Sequence, residues 1–463
     1  MRSMLVRIER MAPQGMGLGR PAGGRGGKIV FVPYTAPGDV VEVEMERVRS
    51  GFCQARFLRL DAPGPGRVEP ACPLHFAPRR PGPACGGCDW QHLSPQTQLE
   101  AKREMVRDCL FRIAKLRSPE VEPTIPAPAP WRYRNKVLVP FGQERGVPIA
   151  GFYSPGTHRI VGFEDCPVQP ELSVRLVRKV RSMAASLGWR VYDEAANSGW
   201  LRHLFVRTNS QGQALVALVT RTPEFREQED FVASMRREFP EIVALFQNVQ
   251  PLKTPVVLGP SWRKLWGADR LEERLGALRL LASPAAFLQV NTPACELLYR
   301  EVREGLCAGG KRPSIVLDLY CGVGSIALWV ADASDRVLGF DENREAIVDA
   351  WGNARFNGVR NARFHAGSIE TQLGPIRKIL AGCERGTASV ILDPPRSGCA
   401  KSVLKALFDP AVGRVLYVSC NPATLARDVD WLCRHRWRLS KVQPVDLFPQ
   451  TSHVETVAIL DRT

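Results

Sequence analysis

The C-terminal part of the chain alternates strands and helices regularly, and this pattern limits the fold more than any other feature. From about Phe287 onward, helical segments separate four short β-branched strands, SIVLDLY, RVLGFD, ASVILD and GRVLYVSC. This alternation is typical of a doubly wound, mostly parallel α/β sheet. Ligands of such sheets bind at the carboxyl ends of the strands, so we expect the chemistry of the chain there.

The first of these strands runs into a glycine turn, Asp318-Leu-Tyr-Cys-Gly-Val-Gly324, ahead of a helix. Glycines at such a turn let the backbone approach a ligand closely. Asp341 ends the next strand, at the position where a carboxylate binds ribose hydroxyls. A G-x-G turn also occurs in dinucleotide-binding folds. The lack of a full G-x-G-x-x-G, together with a D-P-P-R at a later strand end, favours S-adenosylmethionine as the cofactor.

The motif Asp393-Pro-Pro-Arg396 follows the strand ASVIL. Two prolines stiffen the loop and remove backbone donors, so Asp393 is expected to face a planar base. An ordinary loop after a strand is the structural alternative. The D-P-P type is shared with amino-group methyltransferases, so by itself it does not identify the atom that is methylated.

Cys420 and Glu455 are a candidate nucleophile and a candidate base. Methylation of carbon 5 of uracil is one reaction that needs such a pair, because that carbon becomes nucleophilic only after a thiolate adds to carbon 6, and a base must then remove the carbon 5 proton. Cys420 ends a strand ahead of a helix, which predicts a stabilised thiolate. Glu455 lies between Val454 and Val457, which predicts a raised pKa and a role as base. A buried structural cysteine and an exposed strand glutamate are the alternatives.

The N-terminal segment, residues 1–60, reads as a small basic β-barrel resembling oligonucleotide-binding folds. Strand-like runs such as KIVFVPY alternate with the glycine-rich turn GMGLGRPAGGRGG. The segment contains 10 Lys+Arg and 5 Asp+Glu. A β-rich cap without a ligand is the alternative. The whole chain carries a formal charge of +16, which favours a polyanionic partner such as nucleic acid.

The middle of the chain, residues 61–285, predicts a mixed α+β domain. Ser94-Pro95 begins a helix reaching about Leu116, and its predicted core face is Leu99, Val106, Leu110 and Ile113. The motif W-R-Y-R-N-K at 131–136 interleaves aromatic and cationic side chains. It predicts RNA contact through Arg134 and Lys136, with a solvated strand face as the alternative.

Five motifs in order resemble those of the RNA uracil-5-methyltransferases. They are F-L-Q-V-N (287–291), the D-L-Y-C-G-V-G turn, D-P-P-R, S-C-N-P-A-T-L-A-R-D (419–428) and F-P-Q-T-S-H-V-E (448–455). The resemblance covers nearly the whole chain and implies S-adenosylmethionine-dependent methylation of carbon 5 of a uridine, with Cys420 as nucleophile and Glu455 as base. It implies cofactor contacts at Gln289, Tyr320, Gly322, Gly324, Ser325, Asp341, Ser368 and Asp393.

Within this resemblance, Gln289 is expected to contact both cofactor and target base, and Phe287 to shape that pocket. The family often has Glu at Asp341 and Asn at Ser368. Both replacements keep the capacity for hydrogen bonds.

The resemblance also implies three domains: a TRAM-like RNA-binding barrel (1–60), a central domain with an iron–sulfur site (61–285) and a Rossmann-like methyltransferase domain (286–463). Cys72, Cys85, Cys88 and Cys166 match the four ligands of a [4Fe–4S] cluster. Twelve residues separate Cys72 from Cys85, more than in the family, and the extra segment is predicted to be a surface loop. A zinc site is the alternative.

The barrel and the cysteine site together resemble large-subunit ribosomal RNA enzymes, so 23S rRNA is the favoured substrate and tRNA the alternative. Two other functions stay open: methylation of an exocyclic amine, which needs no thiol, and RNA binding by an iron–sulfur protein with a vestigial pocket. No apolar run is long enough to span a bilayer, and the N-terminus lacks a signal-peptide pattern. We therefore expect a cytoplasmic monomer with reduced cysteines.

Overall fold

The computed structural model describes residues 3–22, 28–77, 82–310 and 312–463. In these ranges the chain forms one closed barrel, two seven-stranded sheets and one separate two-stranded hairpin. No helix in these ranges has both the length and the apolar character needed to cross a membrane.

Five strands close the N-terminal barrel in the order β1-β2-β3-β5-β4, and β4 pairs with β1. They are β1 (Ser3–Met11), β2 (Met16–Pro21), β3 (Ile29–Pro33), β4 (Val40–Val48) and β5 (Phe52–Ala62). Alternate residues face inward, so Val6, Val30 and Val41 form its core. The predicted barrel is therefore present, and its last strand continues to Ala62.

One local prediction in the barrel is wrong. The stretch from Met16 to Pro21 was predicted to be turn, but it forms β2. Its glycines serve close packing between strands, because a Cβ at Gly19 would lie 2.2 Å from the carbonyl oxygen of Arg7 on β1. Residues 23–27, the rest of the predicted turn, lie outside the described residues.

Helix α1 (Pro95–Arg112) begins where the sequence predicts, with the Ser94 side chain accepting a hydrogen bond from the Thr97 N–H at 3.2 Å. Val106 and Leu110 are buried as expected, but they pack in the core of the C-terminal sheet. The helix ends at Arg112, short of the predicted end at about Leu116. Ile113 is the cap residue and is 39% exposed, so its assignment to the core face is wrong.

The central sheet has the strand order β12-β11-β10-β9-β6-β7-β8. Its strands are β6 (Lys136–Glu144), β7 (Val147–Tyr153), β8 (Ile160–Gly162), β9 (Leu201–Thr208), β10 (Ala214–Thr220), β11 (Ile242–Val249) and β12 (Ser261–Gly267). Neighbours are antiparallel except the parallel pair β10–β11. Helices α2 (Glu171–Ser186) and α3 (Gln228–Glu238) bury their apolar faces against it.

The hairpin of β13 (Leu271–Leu275) and β14 (Leu278–Ala282) leads into the C-terminal sheet. Its Leu275 and Leu280 belong to the same core as the first helices of that sheet. The sequence grouped this hairpin with the central domain. Leu271 packs in a core of the central sheet, whereas Leu275 and Leu280 join the C-terminal part.

The C-terminal sheet has the order β17-β16-β15-β18-β19-β21-β20, and its first five strands are parallel. The strands are β15 (Ile315–Leu319), β16 (Val337–Asp341), β17 (Ala362–Ala366), β18 (Ala388–Leu392), β19 (Val412–Ser419), β20 (Trp437–Val445) and β21 (Glu455–Arg462). The helices are α4 (Thr292–Cys307), α5 (Ser325–Trp329), α6 (Arg344–Phe356), α7 (Ile369–Leu380), α8 (Lys401–Ala406) and α9 (Pro422–Cys433).

Two separate cores, one on each face of this sheet, show that helices cover both sides. The predicted doubly wound, mostly parallel sheet is thus confirmed. Strand β21 is antiparallel to β19 and brings the C-terminal segment beside the last parallel strand.

Candidate active site

The carboxyl ends of four adjacent parallel strands carry most of the predicted site residues. In the order β16-β15-β18-β19 these ends lead to Asp341, Tyr320, Asp393 and Cys420. Tyr320 has φ +73°, a left-handed conformation that non-glycine residues seldom adopt. Its N–H donates to the carbonyl of Phe340 at 2.9 Å on the neighbouring strand, which holds the unusual turn in place.

The glycine turn after β15 is fastened to the end of β16. Gly322 has φ +53° and Gly324 has φ +80°, and a Cβ at Gly324 would lie 2.9 Å from the ring of Phe364. One oxygen of Asp341 accepts from the Gly322 N–H and the other from the Asn343 N–H, each at 2.8 Å. Each carboxylate oxygen can accept a further bond, so Asp341 remains able to bind ligand hydroxyls.

Beside the glycine turn lies a buried carboxylate that the protein does not satisfy. Asp318 is fully buried, and neither oxygen has a hydrogen-bond partner among the described residues. Burial first, and then the charge of Asp393, raises its pKa to about 8. A buried polar group without a partner, next to a glycine turn at a strand end, fits a site built for a polar ligand.

The two predicted serines make hydrogen bonds within the protein. Ser325, the first residue of α5, has its hydroxyl 2.9 Å from the Tyr299 hydroxyl. Ser368 caps α7 and accepts from the Thr371 N–H at 3.4 Å. Their places at helix starts next to the strand ends are those expected for cofactor contacts, and this role stays a prediction.

Gln289 lies in the segment between β14 and α4, and its backbone is held by the start of the central sheet. The Asn135 N–H donates to the Val290 carbonyl at 2.8 Å, and the Asn135 side chain donates to the Gln289 carbonyl at 3.4 Å. The Gln289 side chain is half-buried and makes no hydrogen bond with any described residue. Its amide is therefore free for a ligand.

The W-R-Y-R-N-K motif contributes mainly to holding this segment. Residues 131–135 form loop, and the strand begins only at Lys136. The Lys136 ammonium lies 5.5 Å from the centre of the Phe287 ring, which is 58% exposed. Burial first, and then Arg207, lowers the pKa of Lys136 to about 8. RNA contact through Arg134 and Lys136 stays a prediction.

Cys420 and Glu455 stand on adjacent strands. Cys420 directly follows β19, and the Asn421 side chain caps α9 by accepting from the Ala423 N–H at 3.1 Å. Glu455 begins β21, whose Thr456 pairs with Ser419 of β19. The antiparallel pairing therefore places the thiol and the carboxylate side by side.

The charges around the thiol differ from the prediction. Burial first, and then Glu455, raises the pKa of Cys420 to about 11, while Arg396 acts in the opposite direction. This shift runs in the direction opposite to the expected stabilisation of the thiolate by the start of α9, and burial is its largest cause.

Three groups that can lose a proton, Cys420, Glu455 and Asp393, lie at this corner of the sheet. Burial first, and then Asp393, holds the pKa of Glu455 well above its usual range, as the sequence predicted, and Arg396 opposes the shift. Glu455 is 3% exposed. Burial raises the pKa of Asp393 to about 7. Carboxylates with high proton affinity next to a thiol are suited to proton transfer at neutral pH.

Arg396, the last residue of the D-P-P-R motif, is a site residue for which the sequence predicted no role. Its charge acts on both Cys420 and Glu455, and its carbonyl accepts from the Asn421 side chain at 3.0 Å. Its position could have indicated this role, because it directly follows the loop of Asp393 at a strand end and clustered acids need a nearby positive charge.

The four predicted cysteine ligands are near neighbours in the structure. Burial first, and then Cys166 and Cys72, raises the pKa of Cys85 to about 11 and that of Cys88 to about 12, while hydrogen bonds from the Gly87 N–H and the Gln91 side chain oppose these shifts. The Gly87 N–H donates to the Cys85 sulfur at 3.4 Å. No group of three or more His, Cys, Asp or Glu side chains within the described ranges forms a metal site. Most of the predicted extra loop, residues 78–81, lies outside the described residues.

Comparison with known proteins identifies the family. The sequence model described as tRNA (uracil-5-)-methyltransferase matches residues 282–463, and the TRAM domain model matches residues 2–58. An uncharacterized RNA methyltransferase of Halalkalibacterium halodurans is 36% identical over 98% of this chain and 96% of its own length. The chain belongs to the RNA uracil-5-methyltransferase family.

Two further proteins are similar to this RNA uracil-5-methyltransferase along its whole length. An uncharacterized RNA methyltransferase of Gloeobacter violaceus is 36% identical over 100% of this chain and 97% of its own. The crystal structure of the Pyrococcus abyssi tRNA (uracil-54, C5)-methyltransferase, in complex with S-adenosyl-L-homocysteine, superposes with a TM-score of 0.74 at 28% identity, covering 98% of this chain and 99% of that one. The predicted family and the predicted N-terminal TRAM domain are confirmed.

Proposed function

We propose that this enzyme methylates carbon 5 of a uridine in RNA through a covalent bond between the Cys420 sulfur and carbon 6 of the base. One observation carries the proposal. The antiparallel pairing of β19 and β21 brings a half-buried thiol beside a buried carboxylate of high proton affinity, at the ligand-binding edge of the sheet.

Each group has one task on the uracil ring. The Cys420 thiol gives its proton to solvent as its sulfur bonds to carbon 6. The electron pair of the C5–C6 double bond forms a C4–C5 double bond, and the carbonyl pair moves onto O4. Once carbon 5 carries the methyl group, the Glu455 carboxylate removes the proton that is still bound to carbon 5. The C5–C6 double bond then re-forms, and the bond between carbon 6 and sulfur breaks.

S-adenosylmethionine, the proposed cofactor, supplies the methyl group and a positive sulfonium charge. The residues proposed to hold it are those predicted from the sequence: Gln289, Tyr320, Gly322, Gly324, Ser325, Asp341, Ser368 and Asp393. The unsatisfied Asp318 and the free Gln289 amide support this site. A nearby positive charge favours the ionised forms of Cys420 and Glu455, which are the forms that react.

RNA is the proposed substrate, with 23S rRNA favoured and tRNA as the second candidate. The TRAM domain and the chain's charge of +16 support a polyanionic partner. The tRNA candidate gains support because the similar Pyrococcus abyssi protein is a tRNA (uracil-54, C5)-methyltransferase. The target uridine must leave the base stack to expose carbons 5 and 6.

A covalent trap tests the mechanism and the substrate together. The protein and S-adenosylmethionine are mixed with 5-fluorouridine-substituted 23S rRNA fragments and, separately, with substituted tRNA. Fluorine at carbon 5 cannot leave as a proton does, so the adduct persists and migrates slowly on a denaturing gel. We expect such a band with one RNA, lost in Cys420→Ala and kept in Cys307→Ala, which changes an exposed cysteine.

Two results would count against the proposal. Methylation of natural RNA by the wild-type enzyme without any trapped band would defeat the Cys420 mechanism. A methylated exocyclic amine, identified by mass spectrometry of the digested RNA, would show that the enzyme acts on another atom.

For Cys72, Cys85, Cys88 and Cys166 we propose a [4Fe–4S] cluster, with zinc as the alternative. The chemistry of the donors supports it, because thiols are the ligands that such a cluster takes and an N–H donates to one of the four sulfurs. Such a cluster crosslinks the segments that hold it. Metal analysis and the visible absorption spectrum of anaerobically purified protein distinguish iron with sulfide from zinc.

We also propose the three-domain division predicted from the sequence, 1–60, 61–285 and 286–463, with two adjustments that the packing supports. Helix α1 and the hairpin β13–β14 pack in the cores of the C-terminal sheet. Residues 271–463 can be expressed alone or together with a peptide of α1. The comparison tests whether this helix is needed for a folded C-terminal part.

A further inference from the structure

A cavity of about 840 Å³ lies in the central sheet, outside the site described above. It is lined by the ends of β6 and β7, by residues that precede and begin β9, and by the loop after β11. A volume of this size is in the range of small-ligand sites and exceeds what a single base requires.

The cavity has an aromatic and cationic wall. The guanidinium carbon of Arg202 lies 4.1 Å from the centre of the Tyr192 ring. Arg202 is 5% exposed, and it donates to the carbonyls of Gln250 and Leu252 at 2.8 Å each. This arrangement fixes a planar cation and a ring as one stacked unit, a surface on which a flat aromatic ligand can pack.

Two polar atoms of the wall have no partner among the described residues, Nε of Arg202 and Nδ1 of His203. Burial first, and then Arg202, lowers the pKa of His203 to about 4, so its imidazole is neutral at pH 7. Both unpartnered atoms are closed off from solvent, so a ligand in the cavity meets the other groups that line it.

The charges of the wall favour a base over a phosphate chain. Arg159, Arg202 and Lys253 are balanced by three carboxylates, Glu144, Asp193 and Glu194. Two of these acids are engaged: Asp193 accepts from two backbone N–H groups, and Glu194 lies 3.3 Å from His158. Glu144 makes no hydrogen bond or ion pair through its side chain with any described residue.

We propose that this cavity binds an unpaired guanine base of the substrate RNA. An arginine can donate to purine N7 or to guanine O6, and a free carboxylate can accept from a purine amino group. Uracil has no amino group to offer Glu144. The inference rests on the proposed function, since it assumes that RNA is the substrate.

The position of the cavity suits an RNA that also reaches the candidate active site. His203 pairs with Pro140, and four residues along the same ladder Arg207 pairs with Lys136, a span of about 13 Å. Lys136 lies over Phe287, and Arg207 donates to the carbonyls of Ser283 and Ala286 just before it. A strand of a few nucleotides therefore connects the two sites.

The test measures the affinity of the full chain for fluorescein-labelled RNA octamers by anisotropy. The octamers are oligouridylates that carry one guanosine, at each position in turn, or an abasic nucleotide at the same position. At one or more positions we expect guanosine to bind about tenfold tighter than both the abasic nucleotide and the all-uridine octamer. Arg202→Lys, which keeps the charge but removes the planar group, should abolish this preference.

A second arginine–aromatic pair of the central domain provides a control. Arg236 of α3 stacks on Trp266 of β12 at 4.5 Å but lies outside the cavity, so Arg236→Lys should keep the preference. Glu144→Gln is the second test variant, because its exposed side chain can change without disturbing the fold. Thermal melting shows which variants are folded.

An absence of guanosine preference in the wild type overturns the proposal. So does a preference that survives in both Arg202→Lys and Glu144→Gln. The proposed methyl transfer is measured separately, with tritiated S-adenosylmethionine and natural RNA. Methylation without guanosine preference defeats only the cavity, whereas guanosine preference without methylation defeats only the proposed function.

Discussion

Cys420 and the cysteine cluster, defined as Cys72, Cys85, Cys88 and Cys166, differ in their neighbours. Burial is the main reason for a raised pKa at Cys420, Cys85 and Cys88 alike. At Cys420 the next contribution comes from a carboxylate, Glu455. In the cluster it comes from hydrogen-bond donors that lower the pKa, the Gly87 N–H at Cys85 and the Gln91 side chain at Cys88, and the neighbouring thiols then raise it. A thiol beside a base is suited to act as a nucleophile, whereas thiols among donors and other thiols are suited to bind metal.

The two regions are joined by one short segment of chain. Asp89, directly after Cys88, accepts from the Ser452 N–H at 2.8 Å, and the Trp90 N–H donates to the Gln450 carbonyl at 3.0 Å. Gln450 also exchanges two hydrogen bonds with Gln98 of α1. The segment that leads into Glu455 is therefore held from the cysteine side, and substitutions can show how far the two regions are independent.

The largest expected effect is on turnover in Glu455→Gln. Without a base the carbon 5 proton stays in place, so the methylated adduct on Cys420 should accumulate on natural RNA. Multiple-turnover methylation should fall by about 10²–10⁴-fold. A denaturing gel and tritium transfer from S-adenosylmethionine measure both quantities. Full turnover in this variant would remove Glu455 from the mechanism, and Glu304→Gln, on an exposed helix position, is the control.

The next effect separates the two kinds of thiol. Cys88→Ser should lose almost all bound metal and melt at a lower temperature, because the crosslink between the cysteine segments is gone. Cys420→Ser should keep its full metal content. Iron and zinc analysis with thermal melting checks both variants. Loss of metal in Cys420→Ser, or full metal in Cys88→Ser, would contradict the distinction between the regions.

A smaller effect is expected at the buried ion pair that holds the segment before Glu455. Lys102 is fully buried and donates to Asp446 and to the Phe448 carbonyl. Lys102→Met leaves a buried carboxylate without its partner, which should lower the free energy of unfolding by about 3–5 kcal/mol. Denaturant unfolding measures the change.

The second substitution in this pair provides the control. Lys102→Met with Asp446→Leu removes both charges and should recover most of the lost stability. Lys401→Met, at an exposed position, should change little. A double variant as unstable as the single one would show that packing around Lys102, and not the unpaired carboxylate, determines the loss.

The comparison also shows what the sequence could predict. The doubly wound sheet and the places of Cys420 and Asp393 follow from local patterns, because strand ends and tight turns are encoded by neighbouring residues. The partner of α1 could not be predicted this way, since Lys102 and Asp446 meet across 344 positions of the chain. The strand that contains Gly17 and Gly19 was predicted to be a turn because glycine occurs both in turns and where strands pack closely. Only the pairing with β1 decides between the two.

The prediction for the proton of Cys420 failed because it, too, depends on contacts between distant segments. A helix start is visible in the sequence, whereas burial and the approach of Glu455 depend on how β21 packs against β19. The raised pKa of Glu455 was predictable, because apolar neighbours on its own strand already indicate burial. Electrostatic predictions from sequence thus succeed where the environment is local and fail where distant segments create it.

The smallest expected effect tests this electrostatic account directly. Because the pKa of Cys420 is about 11, its thiolate fraction at pH 7 to 9 is small and rises about tenfold per pH unit. Alkylation by iodoacetamide, followed by mass spectrometry of the Cys420 peptide, should therefore accelerate with pH and level off only near pH 11. Glu455→Gln removes a group that raises the pKa, so it should react severalfold faster at pH 8. Arg396→Met removes the opposing cation and should react more slowly. If both variants react at the wild-type rate, the neighbours of Cys420 do not control its proton, and burial alone accounts for both kinds of thiol in this enzyme.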